Sequence, residues 1–145
     1  MDRAQRSPLA AGAPAARIDP RRALGRRGEQ LAAEHLRRNG CVELARNVRT
    51  REGEIDLIVL DRRALVFVEV KTRRISRRGE VIREHEEPLR GIGRRQRLRI
   101  RRLAAAWLGD QRQRPHAEEI RFDAIGVIVD SAGALRRIDH VEGAF

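Results

Sequence analysis

At 145 residues and 41% hydrophobic content, the chain is sized for one domain with a real core and is too short for two. A net charge of +11 and a pI near 11.5 make a polyanion the expected partner, nucleic acid ahead of a membrane surface. No apolar run approaches the ~20 residues that span a bilayer, the Ala/Pro/Arg-rich start lacks a signal peptide's apolar stretch, and the lone Cys41 excludes an internal disulfide or a cysteine-built zinc site, so a cytoplasmic protein with Cys41 as a small buried residue is expected.

Residues 1–18 lack apolar periodicity and read as a disordered basic tail, leaving 19–145 as the folded domain. Asp19-Pro20 has the form of a helix N-cap followed by proline at the first helical position, and Asn39-Gly40 supplies a stop. Between them Leu24, Gly28, Leu31, Ala32, His35 and Leu36 recur at helical spacing, so this face packs inward and His35 reads as a hydrogen-bonded core histidine. Cys41 to Val48 reads as a short strand. Ile55 to Leu60 and Leu65 to Val70 are stronger ones, joined by the hairpin-length Asp61-Arg62-Arg63-Ala64. Both are apolar on both faces and belong at the centre of a sheet covered on its two sides.

Arg73 to Arg90 is polar and aperiodic and reads as a long loop. In the helix expected after it, Ile100, Leu103, Ala104, Trp107 and Leu108 form the inward stripe, while Arg94, Arg95, Arg97, Arg99, Arg101 and Arg102 crowd the first half. Trp107 is therefore core. With three Phe, one Trp and no Tyr, little aromatic surface is left for stacking on bases. Ile120 to Val129 and Ala134 to Val141 complete the chain as strands around the turn Ser131-Ala132-Gly133.

The chemistry is concentrated in the hairpin. A turn symmetric about Arg62-Arg63 sets Asp56 opposite Glu69 and Lys71 opposite Glu54. Opposed carboxylates on a doubly covered strand repel and lose hydration, and a hard divalent cation such as Mg²⁺ relieves both penalties. Lys71 shares a strand face with Glu69, so its ammonium reaches the same pocket, where it can stabilise phosphate charge or position a water. All but one of the 32 basic residues are arginine, and the exception is Lys71. Glu29 is placed either to lean from the first helix toward the sheet or to pair with Arg22 or Arg26. Asp123 either balances Arg121 or approaches the site. Asp56, Glu69 and Lys71 are expected to converge at one edge of a mixed sheet.

Gly28-Glu29, Gly53-Glu54-Ile55-Asp56-Leu57-Ile58, Phe67-Val68-Glu69-Val70-Lys71-Thr72-Arg73 and Arg121-Phe122-Asp123 resemble, in order and spacing, the signatures of the uncharacterised YraN family. Through it they resemble the PD-(D/E)XK nuclease superfamily, near the archaeal Holliday-junction resolvases. The resemblance runs from roughly Arg21 to Phe145. It implies an α/β, restriction-endonuclease-like core, a mixed sheet flanked by helices. It also implies Asp56, Glu69 and Glu29 as metal-side carboxylates for Mg²⁺ or Mn²⁺, and Lys71 as the catalytic lysine. Where that family often carries a lysine near the start of the second helix, this chain has Arg95 beside Gln96. A homodimer is also within what the resemblance implies, because two symmetric cuts need two sites.

Three functions compete: a metal-dependent endonuclease on branched or otherwise structured DNA, a non-catalytic nucleic-acid-binding module retaining the fold, and a basic adaptor for protein partners. Positive segments flank an acid-centred pocket, so Arg73, Arg94, Arg95, Arg97 and Arg101 are the expected phosphate contacts, without base specificity.

Overall fold

The computed structural model describes residues 18–76, 87–113 and 115–145. The expected tail lies outside them except at Ile18, and so does the middle of the expected Arg73–Arg90 loop. Helix α1 (Pro20–Arg38) starts where the Asp19 carboxylate accepts the Arg21 backbone N–H at 3.0 Å. It stops at Asn39, after which Gly40 takes φ +88, a left-handed conformation that costs glycine little.

Strands β1 (Val42–Thr50), β2 (Gly53–Asp61) and β3 (Ala64–Arg74) follow, then helix α2 (Arg94–Asp110), β4 (Glu119–Val129) and β5 (Leu135–Val141). They form one sheet in the order β1-β2-β3-β4-β5, antiparallel except for the parallel β3–β4 pair. A parallel neighbour cannot be reached through a tight turn, and α2 lies in the crossover between the two. The hairpin register is the symmetric one, from Asp61↔Ala64 to Leu57↔Val68.

The sheet is covered on both sides. Leu31, Ala32, Ala33 and Leu36 of α1 pack with Leu57, Val59, Val66, Val68, Ile125 and Val127 on one face. Ile100, Leu103, Ala104 and Trp107 of α2 pack with Ile58, Leu65 and Phe67 on the other. Cys41 is buried in the first cluster and Trp107 in the second, its ring edge-on to Phe67. At Gly28 α1 lies close against β3: a Cβ there would lie 1.8 Å from Thr72 Oγ1. The helix approaches β3 closely because this position has no side chain.

One expectation is corrected. Arg73 and Arg74 are not in the loop but end β3, paired with Ile128 and Val129, because the long β4 offers them backbone partners. No helix among the described residues is long and apolar enough to cross a membrane.

Candidate active site at the end of the central strand

β3 is the middle strand of five, so the Asp56/Glu69/Lys71 group lies along the sheet's centre rather than at the edge that the sequence suggested. The paired β2–β3 register stops at Leu57↔Val68. One residue further, the Asp56 carboxylate accepts the Val70 backbone N–H at 2.8 Å, standing in for the interstrand bond that would otherwise satisfy it. Lys71 does not face Glu54. Its Nζ donates to Glu69 Oε1 at 2.7 Å, while Glu54 pairs with Arg49 at 3.6 Å on β1.

Glu69 is a buried carboxylate, 6% exposed, and it holds a second cation that sequence reasoning did not single out. The Arg99 guanidinium, from α2, stands 3.5 and 3.4 Å from its two oxygens. Arg99 precedes Ile100 of the packed stripe and lies one turn before Leu103, so it borders the face that meets the sheet. That position was its only signal.

Among the described residues no cation forms an ion pair with Asp56. Burial first, then the nearby Glu69 charge and Glu29, raise its carboxyl from 3.8 to about 7; the Val70 N–H and Lys71 only partly oppose them. Glu29 is thus near enough to be felt, yet its carboxylate accepts from Asn47 Nδ2 at 2.6 Å. Among the described residues, no three His, Cys, Asp or Glu side chains gather as a metal cage. Asp56 and Glu69 nevertheless fit a hard cation, because Mg²⁺ binds through one or two carboxylates while keeping several waters, and a carboxyl pushed up by a neighbouring carboxylate is relieved by such a charge.

The predicted phosphate contacts divide. Arg94 and Arg95 line a groove of about 650 Å³ together with Glu52, Leu98, Arg99 and Arg102. Arg73 is exposed at the end of β3, and Arg97 is exposed on α2 outside this groove. Arg101 is engaged elsewhere: its guanidinium lies over the Phe122 ring, 4.7 Å from the centroid, and donates to the Phe145 carbonyl at 3.0 Å. A smaller recess of about 240 Å³, lined by Arg22, Arg26 and Arg49 beside Glu29 and Asn47, adds basic residues that the sequence reading did not name for this role. Next to Lys71, Gly126 of β4 admits Pro88 and Leu89; a Cβ there would be 2.6 Å from the proline ring.

Asp123 belongs to a separate network. Its β-partner is Val68, on the α1 side, and its fully buried carboxylate binds Arg121 at 2.9 Å, His140 Nε2 at 2.8 Å and the Gly143 N–H at 3.0 Å. Burial raises its pKa, but His140, Arg121 and Gly143 outweigh that and hold it below the usual carboxylate range. Asp123 thus balances Arg121. His35 packs edge-on to the His140 ring in the same region, with its Nε2 3.2 Å from Asn39 Nδ2.

A five-stranded mixed sheet between two helices, with carboxylates and a lysine on its inner strands, defines an α/β protein consistent with a restriction-endonuclease-like core. The pattern of the uncharacterised protein family UPF0102 matches residues 28–127. The chain is 48% identical over 124 residues to a UPF0102 protein of Frankia casuarinae, covering 85% of this chain and 96% of that one. It is 42% identical over 130 residues to a relative from Nocardia farcinica (90% and 94% covered) and 40% over 127 residues to one from Pelotomaculum thermopropionicum (88% and 98%). The protein belongs to the UPF0102 family, the YraN-like proteins.

Proposed function

We propose that this protein is a metal-dependent endonuclease of the PD-(D/E)XK type that hydrolyses DNA phosphodiester bonds, with branched or otherwise structured DNA as its substrate class. The observation that carries the reading is Lys71 held at 2.7 Å on Glu69 beside an Asp56 whose carboxyl is driven up to about 7. Asp56 and Glu69 would hold Mg²⁺ or Mn²⁺, which when bound supplies Lewis-acid activation of water and phosphate. Asp56 is fixed by the Val70 N–H, so its oxygens are pre-aimed. Lys71 is oriented by Glu69 and placed to position a water or to bear charge developing on the phosphate. The arginines of α2 on one side and of α1 and β1 on the other grip backbone phosphates, which favours affinity without base readout.

The other reading is a nucleic-acid-binding module without cleavage, favoured by the fact that Glu69 already has two cations as partners. Purified protein assayed on four-way, single-stranded and duplex DNA with Mg²⁺, Mn²⁺ or chelator separates them. Lys71→Gln should lower cleavage by at least about a hundredfold while DNA affinity changes little. Absence of metal-dependent cleavage on all three substrates would leave the binding module.

A further inference from the structure

Arg99 belongs to two places at once. Among the described residues it is one of two cations on the buried Glu69 carboxylate, and it also lines the open groove formed with Arg94, Arg95 and Arg102. Its hold on Glu69 is loose: 3.4 and 3.5 Å are well beyond the 2.7–2.9 Å of a strong charge-assisted bond, whereas Lys71 at 2.7 Å meets that standard. The Arg99 side chain is also 45% exposed, so a short rotation in water would free it. A divalent cation on Glu69 would lie against this guanidinium, and like charges in a half-buried setting repel strongly.

Building on the nuclease reading, we infer that Arg99 is an exchangeable counter-ion, which neutralises Glu69 while the metal is absent and moves to a DNA phosphate in the adjoining groove when Glu69 accepts the metal. Arg99 therefore competes with the cation in the absence of DNA and assists it in its presence. Metal and DNA binding become coupled, and linkage requires each to strengthen the other to the same degree. Neither the other arginines of the groove nor Lys71 would have this double character: Arg94, Arg95 and Arg102 line the groove without pairing with Glu69, and Lys71 pairs with Glu69 without lining the groove.

The test uses the full chain and its Arg99→Gln variant, with Arg102→Gln as a groove control and melting curves to establish that each is folded. Mn²⁺ titration by calorimetry without DNA should show Arg99→Gln binding about three- to tenfold tighter than wild type, the range expected for removing one partly exposed ionic competitor. Arg102→Gln should leave Mn²⁺ affinity unchanged. Fluorescence anisotropy on a labelled four-way junction, with Ca²⁺ in place of Mg²⁺ to withhold cleavage, should show wild-type affinity rising on addition of the ion. That increment should vanish in Arg99→Gln and persist in Arg102→Gln, although both variants bind DNA more weakly overall. Mn²⁺ affinity equal to or weaker than wild type in Arg99→Gln, or an undiminished Ca²⁺ increment, overturns the exchange while leaving the nuclease reading standing. A wild-type protein that binds neither Mn²⁺ nor DNA overturns both.

Discussion

Asp56→Asn should make the protein more stable, by a margin that grows as the pH rises from about 4 to 7. In the folded state the carboxyl ionises near 7 instead of 3.8, so folding favours its protonated form. Stability from this group is therefore complete below pH 4 and is lost as pH rises through 7, after which the loss levels off. Taking the two values at face, the wild type loses roughly 2–3 kcal/mol between pH 5 and 8 from this residue alone. Asparagine is neutral throughout and its side-chain oxygen still accepts the Val70 N–H. The advantage of the variant is therefore widest at pH 8, narrows by that amount, a melting-temperature difference of about 5–10 °C for a domain of this size, on going to pH 5, and closes only below about pH 4. Thermal melts from pH 5 to 8 in chelator measure it. Millimolar Mn²⁺ at pH 8 should recover most of the difference in wild type, because a bound cation relieves the same unfavourable charge, and should do nothing for the variant. A variant less stable than wild type at pH 8, or a gap independent of pH, would show that Asp56 is not the strained acid described above.

Asp123→Ala should destabilise the fold by about 3–5 kcal/mol, since it strands part-buried Arg121 and His140 without their carboxylate, yet leave Mn²⁺ affinity unchanged, as denaturant melts and calorimetry would show. Gly28→Ala should cost about 1–3 kcal/mol by forcing α1 off Thr72, with Thr72→Ala restoring part of the loss because the nearest atom, Oγ1, is removed while Cβ remains 2.8 Å away; no cost in urea titration would contradict the close contact. Replacing Arg94, Arg95 and Arg102 by alanine should weaken binding to two unrelated duplexes equally and flatten the salt slope by up to about three units.

The elements with local causes were readable in the chain. The Asp19-Pro20 start, the Asn39-Gly40 stop and the spacing from Ile100 to Leu108 each depend on residues within a few turns of one another, and the helices follow them closely. The symmetric turn set the hairpin register, and with it the approach of Asp56 to Glu69. What escaped depends on long-range partners. Arg73 and Arg74 look like loop residues until β4 pairs with them. Arg101 looks like a free phosphate ligand until Phe122 and the Phe145 carbonyl take it. Arg99 reaches Glu69, and Glu29 finds Asn47, only because helices cross strands distant in sequence. The Arg121–Asp123 pair was one of two readings the sequence left open, but nothing near Asp123 in the chain pointed to His140 of β5 or to the Gly143 N–H, which complete that buried network.

The parallel ladder from Ala64↔Glu119 to Arg74↔Val129 also bears on the order in which the molecule is made. Each of its rungs closes a loop containing all of α2, an entropic cost met only when many rungs form together. A nascent chain ending after β3 already contains Asp56, Glu69 and Lys71, but it has neither the neighbour that fixes one side of β3 nor the helix that brings Arg99 to Glu69. The charged centre is therefore assembled late and cooperatively, and an incomplete chain carries its residues without its geometry.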